Sequence, residues 1–364
     1  MSSGARADLR VSLLRFADEA SRVLLSSDGR RAAVERDDEP PLVEVIAVAT
    51  GAVERRATGW ALGPPAGDGV LIYLERIDDR RFRVRTTAAD RPALELEAPA
   101  GRWRVEAALA AKDGAAVVLA SQDRRWIASI ARNELVLRAT AEMDTAPDGF
   151  APRVALTSDG DRLLALAGKE GAFRLTALAM PDLTPAWTTA LAESPRPAPE
   201  PDPAPGTRRS PRDVVVHVPP WGYRPGFLVV PSGDGHRVLV VGGEQIRGGI
   251  HWPQGLVVLD TATGAVASSR RFDEVGLGDV RAGAPVPGTS RVALLHVSRI
   301  PEGAAETWAT RFGGVSRFDL ATGGDPDVYR VAGASGVDRE VKEAAPSAIA
   351  VDAEGNILLA PGSH

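Results

Sequence analysis

The chain has 364 residues, 44% hydrophobic and 25% charged, with 37 glycines and 28 prolines, a composition that favours a turn-rich globular protein over a disordered chain or a helical bundle. A net charge of −5 supplies no surplus of clustered cations for nucleic-acid binding, and the lack of cysteine removes disulfides, thiolate nucleophiles, iron–sulfur clusters and cysteine zinc sites. No apolar run reaches the roughly 18–20 residues that span a bilayer, and Met1–Asp8 lacks a signal peptide's apolar core, so a cytoplasmic location without a membrane partner is expected.

From the N-terminus, Leu9–Phe16 reads as a first strand. After it, one pattern recurs: a short apolar run, an Asp-Gly pair, and a second apolar run. Clear copies turn at Asp28-Gly29, Asp159-Gly160 and Asp234-Gly235, each preceded by Ser or Thr two residues before the Asp. The Asp-Gly pair is expected to supply the positive φ values of a tight turn, and the flanking runs are short and rich in β-branched residues. Each copy therefore predicts a β-hairpin. Weaker copies turn at Asp68-Gly69, Asp113-Gly114, Pro287-Gly288 and Glu354-Gly355.

A second turn follows several hairpins. Asp260-Thr261-Ala262-Thr263-Gly264 and Asp319-Leu320-Ala321-Thr322-Gly323 carry D-x-x-T-G, and Ala47-Val48-Ala49-Thr50-Gly51 is a version without the Asp. Here Asp and Thr bond turn amides while Gly takes the left-handed position. Hairpin, connection, hairpin makes four antiparallel strands in about 40–45 residues, the period of a propeller blade. These turns resemble those of the bacterial WD40-like and YVTN-type β-propeller repeats. The resemblance implies blades and no particular activity, and the Trp-Asp dipeptide of true WD40 repeats is absent.

The fold expected is a seven-bladed β-propeller of four-stranded antiparallel blades, one domain over residues 1–364, closed by the N-terminal strand pairing in the C-terminal blade. The first turn positions, 28, 68, 113 and 159, are evenly spaced, whereas the intervals to 234, 288 and 354 are longer. The added residues fall at Ala192–Pro225, Gly242–Gly255, Arg299–Gly314 and Val331–Pro346. With Asp-Gly turns joining strands A and B, and T-G turns joining C and D, all four insertions open on the other face, over blades 5–7. Loops on a rigid scaffold are where binding residues sit. The first insertion begins with a Pro-rich loop at 192–212, held extended by alternating prolines.

Aromatic residues are only 5% of the chain, yet the insertions concentrate Trp221, Tyr223, Arg224, Arg247, His251, Trp252, Trp308 and Arg311. Trp, Tyr and Arg are enriched at binding hot spots. These side chains either form a recognition surface or fold down to seal the loops against the blades.

Catalytic signatures are missing. The five histidines show no H-E-x-x-H or H-x-H spacing, and there is no G-x-S-x-G elbow. His236 and His296 read as structural, and Asp28 and Asp159 as turn formers. Propeller lactonases bind metal with carboxylates and Asn near the axis, but only Asn133 and Asn356 occur here. Quinoprotein propellers place Trp four residues after the T-G glycine, where this chain has Arg55, Ser268 and Asp327. No catalytic residue, metal or cofactor is expected. The function expected is a non-catalytic scaffold or recognition module that binds a protein or peptide through the long-loop face. A propeller lyase or hydrolase, and a glycan binder using Trp221, Trp252 and Trp308, are the alternatives.

Overall fold

Every expected hairpin turn joins two short antiparallel strands, and the sheets they build are arranged as a ring. The structure is a computed structural model that describes residues 11–13, 20–36, 38–88, 92–122, 124–144, 153–169, 172–191, 228–242, 245–247, 250–252, 255–271, 279–302, 307–323, 327–329 and 346–361. The Pro-rich loop at 192–212 lies outside the described residues, as does the insertion at 331–345.

Strand β1 is Val11–Leu13. Blade 1 holds β2 (Ala20–Leu25), β3 (Arg31–Arg36), β4 (Leu42–Ala47) and β5 (Val53–Thr58). Blade 2 holds β6 (Trp60–Ala61), β7 (Ile72–Arg76), β8 (Arg81–Thr86) and β9 (Leu94–Glu97). Blade 3 holds β10 (Arg104–Ala111), β11 (Gly114–Ala120), β12 (Arg124–Ala131) and β13 (Val136–Asp144). Blade 4 holds β14 (Val154–Leu156), β15 (Arg162–Lys169), β16 (Ala172–Ala179) and β17 (Thr184–Leu191). Blade 5 starts with β18 (Leu228–Pro231) and β19 (Arg237–Val241). A separate hairpin, β20 (Gln245–Arg247) with β21 (Ile250–Trp252), interrupts it before β22 (Gly255–Asp260) and β23 (Val266–Arg271). Blade 6 holds β24 (Asp279–Pro285), β25 (Arg291–Glu302), β26 (Thr307–Asp319) and β27 (Asp327–Tyr329). The last strands are β28 (Pro346–Val351) and β29 (Ile357–Pro361).

The expectation of seven four-stranded blades is corrected to six. The remaining sheet has three strands, in the order β1-β29-β28, and joins the two ends of the chain. Its outer strand runs parallel to its neighbour, with Val11, Ser12 and Leu13 opposite Ile357, Leu358 and Leu359. The direction has a simple cause. In a complete blade the fourth strand is parallel to the second, with the third between them. Strand β1 must run as a fourth strand to lead into β2, so with no third strand among the described residues it meets β29 directly and in parallel.

The ring closes through its core. The innermost strands touch in succession from β6 to β10, β14, β18, β24 and β28, and then back to β2. Apolar clusters fill the seams between neighbouring sheets, and one of them packs Ala20 and Val34 of blade 1 against Ala350 and Leu358 of the closing sheet. Because both faces of a blade are covered, a strand inside it can be a continuous apolar run; every residue from Ala115 to Ala120 is buried. Each large aliphatic side chain so buried contributes about 1.5–3 kcal/mol. Outer strands alternate instead, as Val136–Asp144 does.

Two local expectations also change. In the three clear Asp-Gly turns the Asp does not have positive φ; only the glycine does, at 67° for Gly29, 81° for Gly160 and 80° for Gly235. The Asp serves as an acceptor rather than as a twisted residue. Arg299–Gly314 is not a loop either: β25 and β26 stay paired out to Glu302 and Thr307, extending the blade 6 sheet as a two-stranded ribbon.

Candidate functional site

The two faces of the ring are built differently. On the first, the three clear Asp-Gly turns are small hydrogen-bonded modules. Ser26 Oγ donates to Asp28 Oδ1 at 2.6 Å and accepts from the Arg31 amide at 3.0 Å, while the Arg30 amide donates to the same Asp oxygen at 3.1 Å. Thr157 with Asp159, and Ser232 with Asp234, repeat the arrangement at 2.5 Å and 2.6 Å. These donors hold the Asp28 carboxyl below its ordinary range, the Ser26 hydroxyl being the largest cause and the Arg30 amide the next. Asp28 and Asp159 are thus turn formers.

The modules also interlock. Ser158 Oγ donates to the Ser232 carbonyl at 2.8 Å, and the Asp234 amide to the Thr289 carbonyl at 2.8 Å. A Cβ on Gly233 would lie 1.8 Å from the Val286 carbonyl oxygen, so only glycine fits there. At the junction of the chain ends, a Cβ on Gly29 would lie 3.3 Å from that of Asp352.

The opposite face carries the B–C connections. In blade 5 that connection is the hairpin β20–β21, where Arg247, His251 and Trp252 stand opposite Ile250, Ile246 and Gln245. In blade 6 it is the ribbon, where Trp308 stands opposite Pro301 and Arg311 opposite Ser298. The ribbon departs from the blade at a register shift between His296 and Val297. There the fully buried His296 meets Ser316 Oγ through Nε2 at 2.7 Å, a structural contact inside the sheet. Five of the eight candidate residues therefore lie on two hairpins of neighbouring blades that leave the ring from the same face. Trp221, Tyr223 and Arg224 lie outside the described residues.

Two buried or half-buried arginines tie neighbouring blades together. Arg22 on the innermost strand of blade 1 donates to Glu35 Oε1 at 3.3 Å and to the carbonyls of Ala61 at 3.2 Å and Ala108 at 2.8 Å. Glu35 Oε1 also accepts from the Ala61 amide at 2.7 Å. One guanidinium so ties blades 1, 2 and 3. Arg125, 1% exposed, is gripped by both oxygens of Glu106, with Nε at 2.6 Å from Oε2, and donates to the Leu166 carbonyl of blade 4. Glu106 is the extra residue of a bulge between Val105 and Ala107, which frees its side chain from the ladder. Neither group was visible in the sequence, because the partners lie between 13 and 86 residues apart. Among the described residues no group of three His, Asp or Glu side chains could hold a metal ion, and no helix is long and apolar enough to cross a membrane.

No protein-family model matches the chain, and no curated protein matches it. Solved structures do. That of U3-55K matches with a TM-score of 0.51 at 10% identity, over 94% of this chain and 88% of that one. The Dos1 propeller matches with a TM-score of 0.48 at 10% identity, over 92% and 74%. The WD40 domain of Toxoplasma gondii coronin matches with a TM-score of 0.48 at 11% identity, over 89% and 73%. The likeness is one of fold alone: this chain is a β-propeller of four-stranded antiparallel blades.

Proposed function

We propose that the whole chain, 1–364, is one domain that acts as a non-catalytic scaffold or recognition module without a cofactor. Its partner is a protein or peptide, held on the face that carries the long B–C hairpins of blades 5 and 6. The observation that carries this reading is the contrast between the faces. The Asp-Gly face carries short turns, those of blades 4, 5 and 6 bonded to one another, whereas the opposite face carries two longer hairpins with Arg247, His251, Trp252, Trp308 and Arg311. Aromatic and guanidinium groups on a rigid support form hot spots at low cost in ordering. The net charge of −5 favours a polypeptide over a nucleic acid, and a cytoplasmic setting fits the same reading.

The test is recovery of the protein from its native source with a bound partner. The partner is expected to be lost when Trp221 and Trp252 are replaced together by Ala, and weakened by Trp308→Ala. A partner that stays bound to both variants rejects this face.

A further inference from the structure

At the seams of the ring, the outer strand of one blade lies against the C–D turn of the next. In blade 4, Trp187 pairs with Ala177, immediately before a bulge at Ala177/Leu178. In blade 1, Arg55 pairs with Val45, immediately before a bulge at Val45/Ile46. The two residues hold the same ladder position. They also reach equivalent acceptors: Trp187 Nε1 donates to the Thr261 carbonyl at 2.8 Å, and Arg55 Nη1 to the Thr87 carbonyl at 3.4 Å, each acceptor being the residue after its C strand.

The indole fills its seam, since a Cβ on Gly264 would come within 2.6 Å of its ring. The guanidinium leaves its own seam open. A cavity of about 450 Å³ remains between blades 1 and 2, lined by Arg55, Arg56, Tyr73, Arg85, Thr86 and Thr87 among others.

Among the described residues its charge is unbalanced. Glu44 is shared by Arg56 at 2.7 Å and Arg36 at 2.9 Å. Glu75 is shared by Arg83 at 3.7 Å and Arg85 at 3.6 Å, and Arg83 also reaches Glu95 at 2.9 Å. Arg55 has no carboxylate partner among the described residues. Thr86 Oγ1 accepts from the Ala88 amide at 2.8 Å and Thr87 Oγ1 from the Leu71 amide at 3.0 Å, so each hydroxyl keeps a proton to donate. Arg56 and Arg85 remain open to solvent at 67% and 47% exposure.

We propose that this cleft binds a phosphate monoester. Three guanidiniums and two hydroxyl donors call for an acceptor with three charged oxygens, which a phosphoryl group has and a carboxylate lacks. The volume falls within the range of small-ligand sites, roughly 300–1,000 Å³, and leaves room for the organic part of the ester. The site stands apart from the hairpin face of blades 5 and 6 and does not depend on it.

The test is calorimetric titration of the full chain at constant ionic strength with phosphoserine, inorganic phosphate, a short phosphoserine peptide and its unphosphorylated form. Phosphoserine is expected to bind saturably at one site, and Arg55→Trp and Arg85→Gln are each expected to weaken it at least tenfold. Arg85→Gln, at an exposed strand position, carries the test should Arg55→Trp fail to fold. Trp252→Ala is expected to leave the affinity unchanged. A phosphopeptide at least tenfold tighter than phosphoserine identifies a polypeptide source, and equal affinity identifies a free ester. No saturable binding of any phosphate probe, or affinity unchanged in both arginine variants, overturns the proposal.

Discussion

The seam between blades 4 and 5 and the seam between blades 1 and 2 share a ladder position and differ in the side chain that occupies it. In the first, Trp187 lies against Gly264, and Thr189 donates to the Gly264 carbonyl at 2.6 Å. In the second, Arg55 reaches an equivalent carbonyl but leaves a cavity beside it. A propeller repeats its backbone, so the distinctions among its seams rest on which side chain occupies a repeated position. The seam between blades 3 and 4 adds a third case: Arg125 is fully enclosed and neutralised by Glu106, and it serves packing alone.

The largest expected effect comes from unbalancing that enclosed arginine. Glu106→Gln leaves the buried Arg125 charge uncompensated, and chemical denaturation is expected to show a loss of about 3–5 kcal/mol. Next is Gly264→Val, which forces a side chain into the Trp187 ring at a residue with φ of 72°; a loss of about 2–4 kcal/mol is expected from the same measurement. Arg55→Trp gives blade 1 the side chain that blade 4 uses, and its stability is expected to stay within about 1 kcal/mol of the parent. A loss as large as that of Gly264→Val would show that the two seams are not equivalent.

The smallest effect concerns acid. Asp78, on the B–C turn of blade 2, is lowered to about 2, chiefly by the Arg80 amide and then by the Arg81 side chain and amide. Its folded value lies below its unfolded one, so its contribution is present above pH 4 and lost as the pH falls towards 2. Asp78→Asn is expected to flatten thermal stability against pH within that window and to leave its shape above pH 5 unchanged.

Much of the fold was legible in the sequence because blade turns need particular residues. Gly29, Gly160, Gly235, Gly264 and Gly323 all take the left-handed conformation that a glycine at a turn announces. What stayed hidden depends on contacts between distant residues. The parallel pairing of Val11–Leu13 cannot be read from a strand's composition, since a parallel and an antiparallel edge select the same apolar residues. The ribbon of blade 6 read as an inserted loop because its strand pairing continues through polar and glycine-containing sequence. The hairpins with Arg247, His251, Trp252, Trp308 and Arg311 stood out through aromatic clustering. The Arg55 cleft left a fainter signal: the position four residues after the T-G glycine holds Arg55 in blade 1 and Ser268 in blade 5. The Trp187 comparison appears only once the ladders are aligned.

A closed ring requires that its first and last hairpins meet. The chain has no cysteine, so Gly29→Cys with Asp352→Cys places the only two thiols of the molecule on those hairpins. The Cβ separation of 3.3 Å is a few tenths of an ångström short of the usual disulfide range of about 3.5–4.5 Å, and a side chain at Gly29, where φ is 67°, costs about 1–2 kcal/mol, a strain the folded ring has to absorb. Mild oxidation is expected to give an intramolecular disulfide in the folded protein, seen as faster migration on a non-reducing gel and loss of both free thiols. Thiols that remain free in the folded double variant, or that link only between molecules, would contradict the closed ring.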